Sequence, residues 1–188
     1  MSQKQNILNK IQDILIENRQ VLLNVSEVEL NLAKNAMVSA NRIFFMGTGR
    51  SGLALKMAAM RFMHLGLNVF VVGEIVTPAI LENDILIVAS GSGTTSTVLI
   101  AAEKAKKVNT KILAITTNKD NPLAEIANHI IQIPAAQKTD FSENISQQYA
   151  GSLFEQSTLF VLDAIFSVLW ENSGKTKEEL WPKHANLE

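Results

Sequence analysis

A segment rich in glycine and hydroxyl groups offers the residue types that bind phosphate without a metal. Residues 90–95, with the sequence SGSGTT, follow a short apolar run and come directly before a helical pattern. Glycine lets the backbone approach a ligand closely, and the amide groups at the start of a helix attract anions. The hydroxyl groups of Ser90, Ser92, Thr94 and Thr95 would add further donors. The alternative is purely structural, because serine and threonine are common helix caps and Gly-Ser turns are frequent.

A second glycine-rich segment, residues 47–52 with the sequence GTGRSG, also follows an apolar run and opens a helix. It matches the dinucleotide-binding pattern G-x-G-x-x-G, and Glu74 lies about where an acid that binds ribose would be expected. A nicotinamide-dependent enzyme usually needs a further substrate domain, for which this chain leaves little room. Dinucleotide binding also gives no role to residues 90–95, so it is the weaker alternative.

The elements around these segments predict a parallel α/β sheet. Five short apolar runs, rich in β-branched residues, are typical of buried strands and cover residues 42–46, 68–72, 84–89, 111–116 and 129–133. Helical patterns occupy most of the chain before residue 41 and then residues 51–65, 95–108, a short stretch from Pro122, and 149–172. This alternation predicts a doubly wound, five-stranded parallel sheet with two extra N-terminal helices.

The strand order decides where the two glycine-rich segments meet. The flavodoxin-like order 2-1-3-4-5, the commoner choice for five strands, makes the first and third strands neighbours and sends their helices to opposite faces. Both segments would then lie at the topological switch point, where open α/β sheets bind ligands. Residues 135–148 are polar and irregular, and this stretch is long enough to be a functional loop.

Composition limits the function classes further. The chain has 188 residues, a formal net charge of −1 and 47% hydrophobic residues, which predicts one soluble domain. The near-zero charge argues against a nucleic-acid partner, and no apolar run approaches the length of a membrane span. The absence of cysteine excludes thiol catalysis and fits a cytoplasmic location. The three histidines lack metal-ligand spacing, so we expect no metal ion.

Four segments together carry a more specific pattern. They are MGTGRSG at residues 46–52, ASGSGTT at 89–95, GSLFE at 151–155 and HANLE at 184–188. The two loops resemble the sugar isomerase (SIS) domain, and their combination with the C-terminal HANLE resembles, more narrowly, the 6-phospho-3-hexuloisomerase family. The chain departs from that pattern at Thr94, where such loops often carry glutamate, and at residues 148–150, where a proline–methionine pair is expected.

The resemblance implies an SIS domain over residues 41–188, preceded by helices over residues 1–40 that pack on it and at an oligomer interface. The implied activity interconverts D-arabino-3-hexulose 6-phosphate and D-fructose 6-phosphate through an enediolate, with no cofactor, in a homotetramer. Glu155 matches the catalytic base of the family. The residues expected to contact the substrate or its phosphate are Gly49, Arg50, Ser51, Ser90, Gly91, Ser92, Gly93, Thr94 and Thr95.

Several alternatives stay open at this point. The sequence fixes neither the length nor the stereochemistry of the sugar, so isomerases of arabinose 5-phosphate or sedoheptulose 7-phosphate fit as well. A non-catalytic regulator that binds a sugar phosphate is a further alternative. Without the resemblance, Glu155 would be read as support for a helix start. Arg50 fits a surface ion pair as well as a substrate contact.

The C-terminal tail, residues 181–188, is too short to fold alone, so we expect it to dock elsewhere. We expect it to reach an active site, that of a neighbouring subunit, where His184 would shuttle protons between substrate oxygens or assist ring opening. His64 is instead expected to be a packed, hydrogen-bonded residue. An apolar stripe on the first helix predicts self-association. This stripe consists of Ile7, Ile11, Ile14 and Leu15.

Overall fold

The computed structural model describes residues 6–141 and 146–187. Its helices are α1 (Ile7–Leu22), α2 (Glu27–Ser39), α3 (Gly49–Leu65), α4 (Ser96–Lys107), α5 (Pro122–Ile126), α6 (Ser152–Ser173) and α7 (Lys177–Leu180). Its strands are β1 (Ile43–Gly47), β2 (Val69–Val71), β3 (Ile85–Ala89), β4 (Lys111–Thr116) and β5 (His129–Gln132). A short 3-10 helix, Trp181–Lys183, follows α7.

The five strands form one parallel sheet in the order β2-β1-β3-β4-β5, which confirms the predicted topology. The strands are apolar on both faces because helices cover both. Phe45 and Ile87 belong to the core beneath α3 and α6, whereas Phe44 and Leu86 belong to the core beneath α4. The helices that follow β1 and β3 therefore lie on opposite faces, as the strand order requires.

Three helices begin at residues other than the predicted ones, although α4 differs by a single residue and begins at Ser96. α3 begins earlier, at Gly49, because the glycine-rich loop itself forms the first helical turn. α6 begins later, at Ser152, because the two residues before it have left-handed backbones. Ala150 has a φ of +46° and Gly151 a φ of +80°. A left-handed backbone cannot continue a right-handed helix, so the chain turns sharply before α6.

The two N-terminal helices pack on the sheet face that carries α3 and α6. α1 contacts α6, and α2 contacts β5 and α6. Three residues of the predicted apolar stripe on α1, Ile7, Ile11 and Leu15, are 77%, 47% and 56% exposed, so this chain does not cover them. Residues 1–5 lie outside the described part, and the domain boundary at residue 40 stays a prediction.

α6 is long and apolar enough to cross a membrane, judged by length and composition alone. Its packing is that of a core helix, since it lies against both α1 and α3. Two of its polar residues are fully buried and hydrogen-bonded: Ser157 donates to the Asn18 side chain on α1, and Thr158 donates to the carbonyl of Phe154. A helix with these polar contacts to its neighbours belongs to the interior of an α/β domain.

The passage from β1 to α3 requires two glycines. A Cβ atom added to Gly52 would lie 2.5 Å from the carbonyl oxygen of Gly47. We predict that Gly52→Ala lowers the free energy of unfolding by about 2–3 kcal/mol, because only backbone atoms can move to relieve the overlap. Urea or thermal unfolding measures this change.

Gly91→Ala is the matched control. Its added Cβ would lie 3.4 Å from Cδ1 of Phe154, an ordinary contact distance, so we expect a change of less than about 1 kcal/mol. Alanine is a better helix former than glycine, so helix propensity alone would make Gly52→Ala more stable than the wild type. A Gly52→Ala variant as stable as the wild type would therefore contradict the close approach.

Candidate active site

A cavity of about 450 Å³ lies where the two glycine-rich loops come together at the carboxyl ends of the strands. Of the residues predicted to bind substrate, the cavity wall contains Ser51, Ser90, Gly91, Ser92, Thr94 and Thr95. The others, Gly49, Arg50 and Gly93, lie outside the wall, as does Glu155, the predicted base. Both segments thus meet at the switch point of the sheet, as the strand order predicts.

The loop formed by residues 90–95 is held by its own hydroxyl groups. Ser90 Oγ accepts from the amide of Gly93 at 3.1 Å and lies 2.9 Å from Thr95 Oγ1. Thr94 Oγ1 donates to Ser92 Oγ at 2.9 Å. Ser90 is buried, whereas Thr94 is exposed. The loop is therefore preorganised, with hydroxyl groups placed in the cavity wall where a phosphate would accept from them.

Asn121, which the sequence did not single out, fixes the far side of this loop. Gly93 has a φ of +65°, and a Cβ added to it would lie 1.9 Å from Asn121 Oδ1. The same oxygen accepts from the amide of Ala124 and caps α5, while Asn121 Nδ2 donates to Thr116 Oγ1 at 3.1 Å. The side chain thus ties the loop to β4 and α5, and only glycine fits at position 93.

Three helices that start at the cavity lack a side-chain cap. Within the described residues, the N-cap positions of α3, α4 and α6 make no capping hydrogen bond through a side chain. These positions are Thr48, Thr95 and Gly151. By contrast, Asn6 caps α1 and Ser26 caps α2 through their side chains. Uncapped amide groups and the positive ends of helix dipoles favour an anion at this place.

Glu155, the predicted base, lies in the first turn of α6 beside the cavity. Its side chain is only 4% exposed, and its Oε2 lies 2.5 Å from Nε of Arg50. A buried carboxylate needs a cation or hydrogen bonds, and Arg50 supplies both. Arg50 therefore forms an ion pair with the carboxylate, and its expected contact with the substrate stays a prediction.

Lys138 is a second cation that sequence reasoning missed. Its Nζ lies 3.7 Å from Oε1 of Glu155, and its side chain also forms part of the cavity wall. A Cβ added to Gly151 would lie 3.1 Å from Lys138 Cγ, so the lysine stem passes over the turn before α6. The only signal in the sequence was the polar stretch 135–148, in which no spacing distinguishes this lysine.

Glu17 of α1 anchors the end of that polar stretch. Its carboxylate accepts from Ser146 Oγ at 2.7 Å, the Gln147 amide at 2.9 Å and Gln148 Nε2 at 3.0 Å. Burial raises the pKa of Glu17, but the three hydrogen bonds together outweigh burial and leave the pKa below its ordinary value. An N-terminal helix thus positions the segment that leads to Glu155.

His184 does not reach the cavity of its own chain. Its ring stacks on that of His64 with centroids 4.0 Å apart and lies 4.7 Å from the ring of Trp181, at the C-terminal end of α3. His64 is buried as predicted, but its Nδ1 has no hydrogen-bond partner among the described residues. Burial, His184 and Arg61 lower the pKa of His64, which favours the neutral ring.

The chemistry that these groups offer is anion binding and proton transfer. Within residues 6–141 and 146–187, no cluster of three or more histidine or acidic side chains is arranged to hold a metal ion. The cavity instead combines hydroxyl groups, helix-start amides, the Lys138 ammonium and the adjacent Glu155 carboxylate. Such a set can hold a phosphate at one end and move a proton at the other.

Comparison with known proteins agrees with this arrangement. The model of the SIS domain matches residues 36–166, which covers both glycine-rich loops, the cavity wall and Glu155. The chain belongs to the SIS domain family. Its N-terminal helix α1 precedes the matched region, and its C-terminal tail follows it.

Several relatives carry the name 3-hexulose-6-phosphate isomerase. The one from Mycobacterium gastri is 49% identical over 97% of this chain and 92% of its own length. The one from Bacillus subtilis is 37% identical over 95% of this chain and 97% of its own length. A crystal structure from Methanococcus jannaschii, described as inferring a function of 3-hexulose-6-phosphate isomerase, has a TM-score of 0.82 and 30% identity. It covers 96% of this chain and 99% of that one.

The Glu17 anchor generates a pH-dependent prediction. A carboxylate whose pKa is lowered by folding stabilises the folded state above its unfolded pKa, and this contribution is lost as the pH falls through its folded pKa. We predict that Glu17→Gln lowers the free energy of unfolding by about 1–2 kcal/mol at pH 7. The difference between wild type and variant should shrink as the pH falls below the ordinary range of a glutamate.

Glu74→Gln is the control, because it makes the same change at an exposed glutamate that forms a surface ion pair with Lys56. We expect it to change stability by less than about 0.5 kcal/mol. Denaturant unfolding at several pH values measures both variants. An effect of Glu17→Gln that is independent of pH, or equal to that of Glu74→Gln, would contradict the anchor.

Proposed function

We propose that this protein is a sugar-phosphate isomerase that interconverts D-arabino-3-hexulose 6-phosphate and D-fructose 6-phosphate. The observation that carries the proposal is a cavity lined by hydroxyl groups beside a buried glutamate, in a chain 49% identical to a protein named 3-hexulose-6-phosphate isomerase. We place the reaction in the cytoplasm, in the ribulose monophosphate route of formaldehyde fixation. Such a reaction takes as its substrate the product of an aldol addition of formaldehyde to ribulose 5-phosphate.

The phosphate group would bind at the loop of residues 90–95. Ser90, Ser92 and Thr95 supply hydroxyl groups, and the start of α4 supplies amide groups that no side chain caps. The amides of Gly91, Gly93 and Thr94 would add further donors. This site needs neither a metal nor a lysine, because several neutral donors and a helix dipole together compensate a dianion.

Glu155 would act as the general base. It removes the proton from C2 of the 3-ketose, and charge develops on O3 as the C2–C3 double bond forms. The O2 proton then passes to O3 in the enediolate. Glu155 returns its proton to C3, O3 keeps its proton as a hydroxyl, and C2 becomes the carbonyl. Hydrogen atoms only change place within one molecule, so the reaction requires no redox cofactor.

The substrate alternatives differ mainly in ring chemistry. A five-membered hemiketal at C3 of the 3-ketose would need O6, which carries the phosphate, so this substrate stays open. Fructose 6-phosphate must open its ring first, and this step needs an additional acid or base. Arabinose 5-phosphate and sedoheptulose 7-phosphate would use the same phosphate loop and base. Turnover of each sugar phosphate, measured separately, distinguishes these alternatives.

α3 extends from Arg50, which contacts the proposed base Glu155, to His64, which stacks on His184. Arg50 lies in its first turn and His64 in its last, about 21 Å apart at 1.5 Å per residue. On the outer face of α3, Leu53, Met57 and Met60 are 61%, 58% and 60% exposed. An apolar stripe of this kind on a helix is typical of a contact between subunits.

We propose that two copies of α3 pack antiparallel about a two-fold axis at Met57, the middle residue of the helix. Such an axis sets position 64 of one subunit opposite position 50 of the other. The partner subunit's His184 would then lie beside the Arg50–Glu155 pair, where it can move protons between O2 and O3. Two such dimers would make the homotetramer expected from the family resemblance.

Replacement of the base tests the function. We predict that Glu155→Gln lowers turnover by a factor of about 10²–10⁴ with KM within a few-fold, because the amide has nearly the same shape but cannot accept the proton. Hexulose-phosphate synthase, formaldehyde and ribulose 5-phosphate generate the substrate, and fructose 6-phosphate is measured. Glu171→Gln, exposed near the end of the same helix, should keep wild-type turnover. Turnover of Glu155→Gln above a tenth of the wild type would exclude this base.

Complementation tests the shared site. We predict that Glu155→Gln and His184→Ala are each inactive alone but regain activity when coexpressed. A mixed dimer would contain one site with both native groups and one site with neither. Random mixing makes about half of the dimers mixed, so about a quarter of wild-type activity should be restored. If the mixture stays inactive while native mass spectrometry detects mixed oligomers, His184 does not act across the interface. Met57→Glu should dissociate the oligomer and remove activity from each subunit.

A further inference from the structure

Lys138 occupies a position between the cavity and the proposed base. Its side chain forms part of the cavity wall, and its ammonium lies 3.7 Å from Oε1 of Glu155. Glu155 itself is outside the wall and 4% exposed. Lys138 therefore faces both the cavity and the carboxylate.

The two cations around Glu155 are not equivalent. Arg50 Nε lies 2.5 Å from Oε2, a charge-assisted hydrogen bond that fixes the carboxylate. Lys138 Nζ lies beyond hydrogen-bond distance from Oε1. An ammonium at 3.7 Å is attracted to the carboxylate without being bound to it, so its donors remain available to a substrate oxygen.

The reaction needs a hydrogen-bond donor near the base, at the oxygen on which charge develops. A base approaches the carbon that loses its proton to about 3–3.5 Å. The carbonyl oxygen on the neighbouring carbon then lies about 3–4 Å from the attacking carboxylate oxygen. A donor 3.7 Å from Oε1, as Lys138 Nζ is, can lie within hydrogen-bond distance of that carbonyl oxygen as well. Charge that develops on this oxygen in the transition state is where a preorganised donor lowers the barrier most.

We infer that Lys138 is the electrophilic group of the reaction and donates to the enediolate oxygen that is formed when Glu155 removes the proton. The inference rests on the proposed function. No bond to Lys138 forms or breaks: the lysine stays protonated, and the proton that moves between carbons is carried by Glu155. The stem of Lys138 lies over the turn at Gly151, directly before the helix that carries Glu155.

Kinetics of Lys138→Met and Lys138→Arg test this role. We expect Lys138→Met to lower kcat about 100-fold or more with KM within about threefold, the usual effect of removing one donor from a developing oxyanion. Exchange of the C3 hydrogen of fructose 6-phosphate in deuterium oxide should fall by the same factor, because this exchange reports proton removal itself. Lys138→Arg keeps the positive charge, so its kcat should be at least tenfold higher than that of Lys138→Met.

Lys119→Met is the matched control, since Lys119 forms an ion pair with Glu29 and lies outside the cavity wall. It should keep wild-type kcat and KM. A Lys138→Met variant with a raised KM and unchanged kcat would assign Lys138 to the phosphate and overturn the inference, as would wild-type kinetics. Wild-type protein without turnover in the coupled assay would overturn the proposed function itself, independently of the ratio between variants.

Discussion

One buried charge, the Glu155 carboxylate, imposes much of the local structure around the cavity. An ionised carboxylate that leaves water costs several kcal/mol unless a cation and hydrogen bonds replace its hydration. Arg50 provides that replacement at 2.5 Å, and its place depends on α3 beginning inside the glycine-rich loop. The left-handed turn at Ala150 and Gly151 brings the start of α6 to the same point. These backbone features serve to hold one charge inside the protein, next to a cavity.

Stability and ligand binding make opposite demands on the helix starts. A side-chain cap stabilises a helix by about 1 kcal/mol, and α1, α2, α5 and α7 each have one. α3, α4 and α6 begin at the cavity without one, so the fold forgoes about 3 kcal/mol there. A bound anion accepts from the same amide groups that a cap would occupy. The uncapped helices are thus the ones whose starts a phosphorylated ligand would stabilise.

Local patterns explain which parts of the fold were predictable. Short apolar runs closed by glycine or proline predict the strands, and the strand order then places both glycine-rich loops at one edge. Lys138 and Asn121 were not predictable, because their roles come from contacts with residues distant in sequence. The start of α6 was misplaced for a related reason: Ala150 has a left-handed backbone without being glycine, so its residue type gives no warning.

At residues 148–150, where the family pattern leads us to expect a proline–methionine pair, hydrogen bonds of Gln148 hold the turn. A proline would fix this turn through its ring. Here Gln148 fixes it instead: its Nε2 donates to Glu17 at 3.0 Å, and its Oε1 accepts from Gln156 Nε2 at 2.9 Å. Gln156 in turn accepts from Asn18 Nδ2 at 2.6 Å. Because this network closes through α1, the position of Glu155 in the next turn depends on the N-terminal helix. α1 therefore contributes to the structural support of the cavity region, although its sequence lies outside the matched SIS region.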